Sequence, residues 1–138
     1  MARVIALVPD LLFGSHVQGS LRAAGHDVVL AGDDAKVRER LAELGEARGA
    51  GADADADADA DATVLVVDLT DDRFDGAAIL EALAADDVLR GVGTLAFYSH
   101  VDAAVRERAM EAGFDLVVPR SRMAREGAAL VAGLAGEA

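Results

Sequence analysis

The residues best placed for chemistry are carboxylates, a guanidinium and several hydroxyls that fall at the ends of apolar runs. Val64-Leu65-Val66-Val67 leads into Asp68 and, two residues on, Thr70. An aliphatic run ending on an acid reads as a buried parallel strand that carries the acid to its carboxyl edge, where open α/β sheets bind ligands. Asp10, Ser15 and His16 follow the first such run, Ser99 and His100 the fourth, and Arg120 the fifth. In a doubly wound sheet these loops converge, so all eight side chains are candidates to line one cleft. Asp68 and Arg120 could form a salt bridge, and an arginine can also engage an oxyanion through two N–H groups. His16 and His100 carry groups that titrate near neutral pH and ligate metals. They lie on separate loops without the spacing of a metal motif, so capping or solvent-facing roles are expected, and His26 beside Gly25 reads as structural. Phe13-Gly14-Ser15 could aim backbone N–H groups at an anion, against the simpler reading of an ordinary helix cap.

The elements that must position these groups alternate between strand and helix. Arg3 to Val8 reads as the first strand, and Ser15-His16-Val17-Gln18 has the form of a capping box opening a helix through Val17, Leu21 and Ala24 that Gly25 closes. Asp27 to Leu30 is the second strand. A helix from Asp33 or Asp34 carries Val37, Leu41 and Leu44 as one apolar stripe towards Gly45. Thr63 to Asp68 is the third strand, followed by a helix through Ile79, Leu80 and Leu83. Gly93 to Tyr98 is the fourth, after which Asp102 caps a helix bearing Val101, Val105, Ala109 and Ala112 and ending at Gly113. Asp115 to Val118 is a short fifth strand, and Ser121 is expected to cap a last helix with Met123, Leu130, Val131 and Leu134. Such βα units imply an α/β fold with a parallel sheet covered by helices on both faces.

Between the second helix and the third strand, residues 49–62 alternate alanine and aspartate. Five carboxylates opposite alanine bury little and repel one another, so a flexible, solvated insertion is expected there within a single domain spanning 1–138. The tract lacks the glycine turns and bidentate glutamate of an organised calcium loop.

A chain of 138 residues suits one domain that buries roughly two thirds of the surface its unfolded form exposes. The net charge of −12, acidic even without the alanine–aspartate tract, argues against nucleic acid or anionic lipid as a partner. With no cysteine there is neither a disulfide framework nor a thiolate metal site. No apolar run approaches the roughly 18 residues of a membrane span, and the first residues lack the form of a signal peptide, so a cytoplasmic location is expected.

Asp68-Leu69 with Asp75-Gly76, together with Arg106-Glu107-Arg108-Ala109-Met110-Glu111-Ala112-Gly113-Phe114-Asp115, resembles the receiver domains of bacterial response regulators. The resemblance covers almost the whole chain outside the alanine–aspartate tract. It implies a flavodoxin-like fold with five parallel strands in order 2-1-3-4-5, no enzymatic activity, and a place in two-component signalling or a phosphorelay. It also implies site roles: Asp68 as phosphoacceptor, Asp10 with Asp68 and the carbonyl of Thr70 as a weak magnesium site, Tyr98 or Ser99 as the switch hydroxyl, and Arg120 in place of the family's lysine. The chain departs from the pattern in three places. Val8-Pro9-Asp10 retains one acid where the family has two, the switch hydroxyl is displaced or enlarged, and Arg120-Ser121 stands where the family has lysine then proline. The pattern is that of an atypical receiver or pseudo-receiver.

The expected function is therefore a stand-alone receiver-like signalling or regulatory module, with Asp68 the phosphorylation candidate and a histidine kinase or regulatory target as protein partner. A phosphorylation-independent interaction domain, homodimeric through the last two helices and with an Asp68–Arg120 pair fixing its loops, is the alternative. A small-anion or nucleotide sensor using the helix start at Ser15 is the third. A cobalamin role is disfavoured because Asp10 and His16 do not have the Asp-x-His spacing, and a flavin role because the chain has four Phe, one Tyr and no Trp to stack on the ring.

Overall fold

The computed structural model describes residues 2–50, 62–70, 75–99 and 102–136. Strands β1 (Ala2–Leu7), β2 (Asp27–Ala31), β3 (Ala62–Asp68), β4 (Val92–Tyr98) and β5 (Leu116–Pro119) alternate with helices. These are α1 (Leu11–Ala23), α2 (Asp34–Ala50), α3 (Gly76–Ala85), α4 (Ala103–Ala112) and α5 (Arg120–Leu134). All strand pairs are parallel, and the order is β2-β1-β3-β4-β5, as the resemblance implies.

The strands are continuous aliphatic runs because both sheet faces are buried. On one face Val4, Ala6, Val64, Val66, Leu95, Phe97 and Val118 pack with Val17 and Leu21 of α1 and Met123 and Val131 of α5. The alternate residues Ile5, Leu7, Leu65, Val67 and Ala96 pack with Val37 and Leu41 of α2, Leu80 and Leu83 of α3 and Ala109 of α4. Each fully buried aliphatic or phenylalanine side chain contributes about 1.5–3 kcal/mol, which makes the central strands the stable part of the molecule.

Three helix boundaries differ from those expected from the sequence. Helix α1 begins one turn early, at Leu11, because Asp10 rather than Ser15 is its cap: Asp10 Oδ1 accepts from Leu12 N at 2.9 Å and Phe13 N at 3.2 Å. Gln18, expected in a capping box, instead donates to the Val28 carbonyl at 3.4 Å. Helix α2 continues through Gly45 to Ala50, since each of its two glycines, Gly45 and Gly49, costs a helix only about 1 kcal/mol relative to alanine and the flanking Ala, Glu and Arg are good helix formers. Helix α5 begins at Arg120, with Pro119 at the N-cap and no side-chain cap, so Ser121 lies inside its first turn. Asp102 and Gly113 act as expected: Asp102 Oδ1 accepts from Val105 N at 3.2 Å, and Gly113 takes a left-handed φ of 105° that a side chain would strain. Of the tract expected as an insertion over 49–62, residues 51–61 lie outside the described residues, while Ala50 ends α2 and Ala62 opens β3.

Candidate functional site

The register of the sheet decides which groups share a side. Asp68 pairs with Phe97 and Phe97 with Val118, so all three point to the face covered by α1 and α5. By strand alternation Tyr98 points to the opposite face, where it is buried, while Ser99 and Arg120, just past the ends of β4 and β5, line a cleft together with Thr70. The ambiguity between Tyr98 and Ser99 is thereby resolved in favour of Ser99 as the hydroxyl at the cleft. An open cleft of about 590 Å³ lies there, lined among the described residues by Phe13, Thr70, Ser99, Arg120, Ser121 and Ala124.

Asp68 sits at the end of β3 and is 1% exposed. Its Oδ1 accepts from the Thr70 backbone N–H at 2.7 Å and from the Thr70 hydroxyl at 2.6 Å, folding the chain back over the carboxylate. Such local turns satisfy a buried carboxylate with its own backbone.

Arg120 turns elsewhere. Its Nη2 lies 3.4 Å from Asp10 Oδ2, and its guanidinium carbon lies 4.1 Å from the centre of the Phe13 ring. Phe13 is held in turn against Phe97, ring centres 5.1 Å apart and tilted by 53°. The pair expected between Asp68 and Arg120 is replaced by Asp10–Arg120. Once Asp10 caps α1, its second oxygen faces the first residue of α5, and the flat guanidinium stacks on the intervening ring. Backbone donation from Phe13 is the largest influence on the Asp10 carboxyl. With Leu12 and Arg120 it holds the pKa below the usual carboxylate range, against a partial loss of hydration.

The remaining candidates separate from this cluster. Ser15 is exposed on α1 and does not line the cleft. His16, also exposed, donates from Nε2 to the Ala124 carbonyl at 3.3 Å and so ties α1 to α5. Gly14 is buried within α1, where a Cβ would lie 3.4 Å from the Val8 carbonyl oxygen; it permits close packing on β1 and does not form an anion loop. His100 lies outside the described residues. Phe13 was weighed only for its backbone N–H in an anion loop; its ring, the platform under Arg120, was missed, and its position three residues after Asp10 is the signal that could have found it. His26 is structural: its Nδ1 accepts from the Ala2 backbone N–H at 3.0 Å.

As arranged, these donors do not fit a magnesium ion. Such an ion requires near-octahedral oxygen ligands, and both Asp10 oxygens already accept hydrogen bonds, one of them from a cation. Among the described residues, no three His, Cys, Asp or Glu side chains gather into a metal-ligating group.

No model of a protein family matches the chain, and no curated protein matches its sequence. Solved structures do. The response regulator receiver domain protein from Clostridium thermocellum is 12% identical with a TM-score of 0.72, over 99% of this chain and 95% of that one. The chemotaxis response regulator CheY4 of Vibrio cholerae is 17% identical with a TM-score of 0.69, over 97% of this chain and 98% of that one. The phosphorylated cyanobacterial phytochrome response regulator RcpA is 12% identical with a TM-score of 0.68, over 95% of this chain and 91% of that one. At these identities the likeness is one of architecture, and it covers nearly the whole chain: this protein has the flavodoxin-like fold of response regulator receiver domains.

Proposed function

We propose that the chain is a receiver-like regulatory module of the cytoplasm, not an enzyme, that acts by contact with a protein partner and without phosphorylation of Asp68. The observation that carries this reading is the state of Asp68, buried at 1% exposure with Oδ1 accepting two hydrogen bonds from Thr70. A phosphoryl acceptor must present a carboxylate oxygen to its donor and needs a cation to gather the incoming charge. Here Thr70 donates twice to Asp68 Oδ1, and the Arg120 guanidinium is engaged by Asp10. Receiver architecture supports a signalling role, and the solved relatives are themselves response regulators.

A second reading keeps Asp68 as phosphoacceptor, with Ser99 and Arg120 contacting the phosphoryl group and a histidine kinase as partner. The cleft that Thr70, Ser99 and Arg120 line beside the end of β3, where Asp68 sits, favours it. Intact-mass analysis after incubation with acetyl phosphate, with and without magnesium, separates the two. The parent is expected to stay unmodified. A phosphoryl adduct that disappears in Asp68→Asn would replace the first reading with the second.

A further inference from the structure

We propose that the Arg120 guanidinium is the resident cation of this cleft, standing where a divalent ion would meet Asp10, so that the carboxyl edge is held together without magnesium. The proposal deepens the reading above and rests on the same site. Asp10 is the acid retained after β1, and its two oxygens are divided between two structural duties. Oδ1 caps α1 through Leu12 and Phe13, and Oδ2 receives Arg120 from the first position of α5. Magnesium could reach Asp10 only by expelling the guanidinium, which would break the ion pair and lift the side chain from the Phe13 ring. Binding beside it would set a double positive charge against a fixed single one, and Asp68 Oδ1, at the end of the strand next to β1, already accepts two bonds from Thr70.

The chemistry of arginine suits this substitution. Its charge is permanent, its planar fork both stacks on an aromatic face and donates to a carboxylate, and it is more weakly hydrated than an ammonium. The Phe13–Phe97 contact fixes the surface on which the fork lies. A tethered cation is always present, so the joint it makes between α1 and α5 does not depend on the metal supply. Arg120 is therefore a specificity-determining residue that excludes divalent ions from the cleft.

The test is residue-resolved, because the alanine–aspartate tract will attract cations unspecifically. Substoichiometric Mn²⁺ is added to the full chain, and paramagnetic broadening is read at the amides of Asp10, Leu12, Leu69 and Thr70. In the parent these signals are expected to persist. In Arg120→Gln they should broaden selectively and recover when magnesium competes, and in the Arg120→Gln, Asp10→Asn double variant the broadening should be lost. Arg120→Lys, which keeps the charge but cannot stack as a flat fork, should admit the ion more weakly than Gln and serves as the test if Gln does not fold. Selective broadening in the parent overturns the proposal, and so does its absence in a folded Arg120 variant. Mn²⁺ binding without an Asp68 adduct would remove this inference alone, whereas an adduct on a parent that binds no Mn²⁺ would remove only the phosphorylation-independent reading.

Discussion

The two edges of the same sheet leave different amounts of polar bonding capacity open. At the amino edge they close on one another: His26 Nδ1 receives the Ala2 N–H, Asp115 Oδ2 receives the Thr94 N–H at 2.9 Å, and Thr94 Oγ1 receives the Asp115 N–H at 2.9 Å. His26 and Thr94 are buried there, and these bonds pin the starts of β1, β4 and β5. At the carboxyl edge Asp10 and Arg120 pair while still about half exposed, and the Ser99 and Ser121 side chains border an open cleft with no hydrogen bond of their own among the described residues. Groups that complete each other's bonding hold a fold together. Groups with bonding capacity left facing a cleft are available to something else.

The sharpest way to break this contrast is to cut the amino edge. Asp115→Ala strands the Thr94 N–H and removes a partner of its hydroxyl, and is expected to cost towards the top of about 1–3 kcal/mol in urea unfolding. His26→Leu keeps the volume but removes one acceptor, for a loss nearer about 1 kcal/mol in the same experiment. At the carboxyl edge, Asp10→Ala removes the α1 cap and should lower the melting temperature by less than either. Ser99→Ala and Ser121→Ala should stay within about 0.5 kcal/mol of the parent while weakening partner capture. If the serine variants prove as costly as Asp115→Ala, the cleft serines are structural and the contrast fails.

Acid sharpens the same comparison. The Asp10 carboxyl is held low, chiefly by the Phe13 N–H, and that of Glu81 chiefly by its hydrogen bond from Arg108. A folded-state pKa below the unfolded one adds stability that is present above the ordinary carboxylate range, about pH 4, and is lost as pH falls through the depressed value. Parent stability should therefore decline below about pH 4. In Asp10→Ala the decline should be shallower, which a pH series of thermal melts would detect.

Much of the fold was legible because both sheet faces are buried, which makes strands such as Val64–Asp68 unbroken aliphatic runs rather than alternating ones. Asp102 and Gly113 were legible for a different reason: caps act within a few residues of themselves. The start of α1 was not, because its first residues, Leu11 and Leu12, are 80% and 86% exposed and break the apolar stripe that marks the rest of the helix. The start of α5 was masked by Ser121, a good cap residue two positions past the proline that in fact precedes the helix. At the site, residue types and strand ends made Asp10, Asp68, Ser99 and Arg120 candidates, but did not show which acid Arg120 would choose.

Alone, the sequence determined the parallel α/β architecture and the edge at which its acids and hydroxyls gather, because burial and strand direction follow from local composition. The tertiary structure decided the partners: Asp10 for Arg120, Thr70 for Asp68, His26 for Ala2 and Asp115 for Thr94. Asp10 and Arg120 are 110 residues apart in the chain, and which side chains meet at that separation depends on strand register and helix starts, set by the packing of the whole domain.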